Sequence, residues 1–188
     1  MLNPWRPDRW RTHCRDIIAN HWDHKLKQTA EAMNSLYLLD TSSLSLMKPA
    51  KVWSMAGLDS NEVRKATVVK WMTLGVYKTR ETLHKMKVIK SPLCTACGTH
   101  SIGSLSHYLL YCPFTEDIRQ KYIPQFVIAN PMVARLTDNE AALMISILDP
   151  ESSLLPDDVI FNWESSKKTR DYVYNVHKNF EKFYESKK

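Results

Sequence analysis

Ser91-Pro92-Leu93-Cys94-Thr95-Ala96-Cys97, with His107 and Cys112 downstream, reads Cys-x2-Cys-x9-His-x4-Cys. Three of the chain's four cysteines fall inside Cys94–Cys112. Thiolate sulfur and imidazole nitrogen are the donors that a closed tetrahedral zinc site takes. One tight turn can aim the sulfurs of Cys94 and Cys97 at a common point, and Gly98 relaxes the backbone just after it. His107 and Cys112 lie a little over one helical turn apart, so a single helix or its end is expected to present both from one side. Pro113 stops that element. His100, three residues after Cys97, is a rival ligand; it sits in a short polar loop without a neighbouring cysteine and ranks behind His107. Four protein ligands leave no position for water, so the expected zinc ion is structural.

The surroundings of this motif are strongly basic. Residues 1–93 hold 16 Lys/Arg against 8 Asp/Glu, and residues 94–188 hold 10 against 12. Most of the excess comes from Arg64, Lys65, Lys70, Lys78, Arg80, Lys85, Lys87 and Lys90, opposed only by Glu62 and Glu81 within 61–93. A positive field beside a metal turn favours a phosphate backbone through counterion release. A plain solvated helix face accounts for the same charges equally well.

Ser91-Pro92-Leu93-Cys94-x2-Cys97, then His107-Tyr108-Leu109-Leu110-x-Cys112-Pro113, resembles the zinc-binding segment downstream of the reverse transcriptase in non-LTR (LINE-like) retrotransposon polyproteins. Around it, Trp53, the run Glu62-Val63-Arg64-Lys65-Ala66, Leu74-Gly75-x-Tyr77, Leu148-Asp149-Pro150 and Tyr174-x2-His177 extend the resemblance over most of the chain. The resemblance implies a domain that helps hold template RNA or target DNA near a polymerase. It departs at one place: Gly103 or Ser104 stands where such segments often carry an acid a few residues before the histidine. That acid would be a support for the histidine ring, which this chain lacks.

With 188 residues, four glycines, six tryptophans and a 44% apolar fraction, the chain suits one domain, or a core with appendages, and has the material for a packed interior. The expected architecture is mainly α, with the zinc knuckle embedded and no substantial sheet. Three regions are expected: 1–58, N-terminal and helical; 59–124, basic helices plus a knuckle at 91–113; and 125–188, C-terminal and helical. Trp10, Cys14, Ile17, Ile18, His21, Trp22 and Leu26 recur at three and four, which predicts a helix whose aromatic face, Cys14 included, packs in the core. Asp59-Ser60-Asn61-Glu62 and Thr137-Asp138-Asn139-Glu140 read as capping boxes. Further helices are expected from Thr79 to about Val88, from Thr115-Glu116 to Pro124, over Ala141–Leu148 and from about Asp157 to Tyr184.

No Tyr-x-Asp-Asp polymerase hairpin, Gly-rich phosphate loop or Gly-x-Ser-x-Gly elbow is present. Pro156-Asp157-Asp158 with Glu164 and Lys167 imitates a metal-dependent nuclease but has the wrong spacing and reads as a helix start, where acids complement the dipole. No enzymatic activity is therefore expected. No apolar run approaches the roughly 20 residues a membrane span needs, and Met1–Arg15 lacks the apolar stretch of a secretory signal. Reduced cysteines suit an intracellular setting, nucleus or cytoplasm. The leading expectation is a zinc-binding domain contacting RNA or DNA phosphates. A zinc-stabilised scaffold for a protein partner, and a decayed retroelement fragment without activity, are the alternatives.

Overall fold

Asp59 starts the helix that leads towards the metal motif. Its carboxylate accepts from the backbone N–H groups of Asn61 at 2.7 Å and Glu62 at 3.3 Å, satisfying donors that a helix start leaves open. The helix it caps runs Ser60–Thr73, and Gly75 follows at φ 67°, the left-handed position that ends helices. Asn139 caps Glu140–Leu148, accepting from Ala142 N–H at 3.0 Å, so the start lies inside the expected box; Thr137, which that box places at the cap, lies outside the described residues.

The computed structural model describes residues 7–45, 51–129, 136, 138–150, 152, 154–155 and 163–187. Its helices are α1 (Pro7–Glu31), α2 (Lys51–Ala56), α3 (Ser60–Thr73), α4 (Arg80–Lys85), α5 (Glu116–Ala129), α6 (Glu140–Leu148) and α7 (Trp163–Glu185). Short 3-10 turns lie at Asn34–Leu36, Thr41–Ser43 and Pro113–Thr115, and a π turn at His107–Tyr111. The protein is mainly helical, and among the described residues there is no strand beyond one isolated bridge, Leu93 to Ile102. No described helix is long and apolar enough to cross a membrane.

α7 is the hub. α3, α5 and α6 all pack on it, and its Tyr172, Val173, Val176 and Phe180 are buried. One continuous core joins Leu38, Val68, Val69 and Met72 to the metal-motif cysteines and to Met144, Ile147 and Phe180. Residues from all three sequence regions thus share a single interior. On the α3 side, Lys65 bridges Glu62 and Asp171 at 2.6 Å each, and the buried Arg170 lies 3.5 Å from Glu62.

Two expectations are corrected. α5 does not stop at Pro124 but continues to Ala129. Proline removes one backbone donor and crowds the preceding turn; the helix persists because Ile118, Tyr122 and Ile123 pack against the core and Asn175 of α7 donates to the Tyr122 hydroxyl at 3.0 Å. The aromatic face of α1 does not enter the core either: Trp10 is 56% and Trp22 48% exposed, and Cys14 is only half-buried. α1 meets the body chiefly through its C-terminal end, where Ala30 is buried and Asp23 accepts from Ser45 at 3.0 Å. The periodicity is real, but the face it creates looks outward.

Phe180 stacks on Tyr108 at 3.9 Å between ring centroids and is 2% exposed. Phe180→Ala should therefore cost about 3–5 kcal/mol in denaturant unfolding, whereas Trp22→Ala should change stability by no more than about 0.5 kcal/mol. Equal losses for the two would contradict this placement of the core.

Candidate metal centre

Cys94 and Cys97 are held by a clip between the two flanks of their loop. Cys94 N–H donates to Ser101 C=O and Gly103 N–H to Pro92 C=O, both at 2.8 Å. Gly103 is buried where a Cβ would stand 3.0 Å from the Arg80 Cβ and 3.2 Å from the Tyr108 hydroxyl. A side chain at this position would crowd Arg80 and Tyr108. Ser104, next in the chain, accepts from the backbone N–H of His107 at 3.1 Å and so starts the turn that carries the histidine.

That turn is wound wider than an α-helix. Cys112 N–H donates to His107 C=O at 2.7 Å, a bond across five residues. In α winding, residues five apart point about 140° away from each other around the axis. A π turn brings them to the same side, and such turns recur at functional sites. Its loose carbonyls are taken up from outside. Thr115 Oγ1 donates to Tyr108 C=O at 3.0 Å and Cys112 C=O at 3.1 Å, and the Tyr172 hydroxyl of α7 donates to Leu109 C=O. Pro113 then opens a 3-10 turn and ends the segment.

The result is convergence. One ligand atom from each of Cys94, Cys97, His107 and Cys112 lies within 4.8 Å of every other, and all four residues are buried. Cys94 and Cys112 sulfurs are 4.0 Å apart, and Cys97 Sγ is 3.3 Å from His107 Nε2. A disulfide would need about 2.05 Å, so these are free thiols arranged around a point. The four can hold one metal ion. His100 is left out of the cluster: it is exposed, with a left-handed φ of 54°.

Burial pushes the Cys112 thiol up to about 12 and also raises Cys94. Burial acts upward on Cys97 as well and is the largest single influence, but hydrogen bonds from Thr99, whose Oγ1 lies 3.1 Å from the sulfur, and from Cys94 and Cys112 together bring the net shift downward. Burial lowers His107, with the Arg119 charge adding to the effect, so the imidazole is neutral and ready to ligate.

The eight basic residues fall into two sets. Lys65 is committed to its ion pairs with Glu62 and Asp171. Lys70 is half-buried, and burial lowers its pKa. Arg80 donates to Ser91 C=O at 3.0 Å, bracing the entry to the cysteine loop. Arg64, Lys78, Lys85, Lys87 and Lys90 are exposed, although Lys85 also pairs with Glu81 at 2.6 Å. Of the nuclease-like set, Asp157 and Asp158 lie outside the described residues.

Comparison with protein-family models, with curated proteins and with solved structures finds no match for this chain. The cluster's geometry therefore carries the chemistry by itself. Sequence reading missed its supports: Gly103, Ser104, Thr115 and Tyr172 belong to no ligand spacing.

Metal binding must displace the protons of Cys94 and Cys112, whose thiols are shifted up, whereas the downward shift of His107 favours the neutral, ligating imidazole. Apparent metal affinity should thus climb steadily as pH rises from mildly acidic to mildly alkaline, with proton release seen in buffers of different ionisation enthalpy. A flat profile would contradict thiolate ligation. Gly103→Ala should destabilise by about 1–3 kcal/mol through overpacking against Arg80, measured by thermal melting of the metal-loaded protein.

Proposed function

We propose that this chain is a non-catalytic, zinc-binding, nucleic-acid-binding domain of retrotransposon origin. The observation that carries the reading is the buried three-thiol, one-imidazole cluster lying directly after an exposed basic segment. Tetrahedral zinc with Zn–S near 2.3 Å spaces its sulfurs by about 3.8 Å, close to the 4.0 Å between Cys94 and Cys112. Soft thiolates with imidazole favour zinc over the hard, oxygen-seeking divalent cations. With four protein ligands the ion is structural, and the reading assigns no catalytic residue.

Lys78, Lys85, Lys87 and Lys90 supply the phosphate contacts, joined by Arg64 from α3. Lys87 stands at φ 60° just past α4, and the exposed residues 84–88 lead into the cysteine loop. Lys65, Lys70 and Arg80 take a supporting part, holding α3 and the loop entry in place. The retroelement origin rests on the motif resemblance around Cys94–Pro113. An intracellular setting, nucleus or cytoplasm, belongs to the same reading and is supported by its need for reduced thiols.

The test is a salt series with labelled single-stranded RNA and DNA and with duplex DNA. Affinity should fall linearly on logarithmic axes as salt rises, and Lys87→Glu with Lys90→Glu should reduce that slope by about 2. A chelator strong enough to strip zinc should weaken binding along with helical content. Salt-independent binding, or none to any of the three probes, would overturn the reading.

A further inference from the structure

α1 carries two neighbouring rows of side chains spaced four residues apart. Trp10, Cys14, Ile18 and Trp22 form one row, and Arg11, Arg15 and Ala19 the next; together they line a shallow groove of about 480 Å³. Ile18 and Trp22, 58% and 48% exposed, form the walls, while Cys14 and Ala19 are short and half-buried and form the floor. Leu26 and Ile17, also exposed, extend the apolar surface along the helix. Rows of this spacing are the ridges between which a second helix packs, crossing at about −50°.

The charge on this half of the helix selects the occupant. Beyond the first turn it bears Arg11, Arg15 and Lys25, the last lying 5.0 Å over the Trp22 ring. Asp16 and Asp23 fall on the opposite half, and Asp23 turns to Ser45 of the body. A second copy of this chain fits poorly. A parallel pair sets Arg11 and Arg15 against themselves, an antiparallel pair sets them against Lys25, and like charges juxtaposed oppose association. A lipid surface fits poorly too. An interfacial helix gathers its charges on the side away from its apolar residues, whereas Arg11 and Arg15 alternate with Ile18 and Trp22 around one arc. Alternating apolar and basic groups match an element with the complementary alternation.

We propose that the α1 groove docks an amphipathic α-helix of a partner protein, one presenting an apolar row flanked by Glu or Asp carboxylates that pair with Arg11 and Arg15. None of these residues belongs to the segment 78–90, so the proposal stands apart from nucleic-acid binding and either can fail alone.

The experiment uses the full chain and a designed helical peptide of about 20 residues, some 30 Å long, with leucines four apart and glutamates beside them. Its lysine-for-glutamate counterpart, phosphatidylserine vesicles and a single-stranded oligothymidine serve as rival probes, with isothermal titration calorimetry as the readout. The acidic peptide should bind at least about tenfold more tightly than its basic counterpart. Trp22→Ser should abolish that binding with an unchanged melting curve. The double variant Arg11→Glu, Arg15→Glu should lose the acidic peptide and gain the basic one. Indistinguishable peptides, no binding by the acidic peptide, an absent charge-swap, or tighter Trp22-dependent binding of vesicles or oligothymidine would each overturn the proposal.

Discussion

The backbone between His107 and Cys112 must wind one residue wider than an α-helix, and the rest of the site depends on it. Only then do the histidine ring and the fourth sulfur face the point already addressed by Cys94 and Cys97. A π turn leaves its carbonyls poorly bonded within the segment and is rare for that reason. Here the shortfall is met from two directions. Thr115 closes the turn from the chain's next residues, and Tyr172 reaches it from α7. The metal centre and the helical hub are therefore one construction.

The same coupling appears in the aromatic contacts. Tyr108, between two ligands, stacks on Phe180 at 3.9 Å and its hydroxyl lies 2.9 Å from that of Tyr184. Asn179 donates to Phe114 C=O at 3.1 Å, just past Cys112. Further along, Tyr77 meets Nδ1 of His177 at 3.1 Å, which ties the segment between α3 and α4 to the same helix. Releasing the π turn would also release the face on which α7 rests. In small metal-stabilised domains binding energy and folding energy are the same quantity; here the cluster lies within a larger core, so the dependence is shared with Val69, Met72, Val173 and Val176.

Much of the plan was legible because it rests on local rules. Asp59 and Asn139 announce helix starts through side-chain chemistry, and Cys94, Cys97, His107 and Cys112 announce a cluster through spacing. What escaped is what only packing decides. The apolar repeat from Trp10 to Leu26 defines a face but not what the face meets. Pro124 breaks a bond locally, and the contact of Tyr122 and Ile123 with the core outweighs the break. Tyr172, Val173, Val176 and Phe180 follow one another at helical spacing, but which helices that stripe meets is decided by packing. The crowding of Gly103 by Arg80 and Tyr108 is likewise invisible in the sequence. Among the basic residues, Lys65 could not be told from Lys87 until Asp171 arrived from over a hundred residues away.

The most direct measurement is X-ray absorption at the zinc edge on protein purified without added metal, with the bound metal counted in the same sample. One zinc per chain, with a first shell of three sulfurs near 2.3 Å and one nitrogen near 2.0 Å, is the predicted result. A substoichiometric ion, or a shell dominated by oxygen, would mean that Cys94, Cys97, His107 and Cys112 do not share a metal and would contradict the account at its centre.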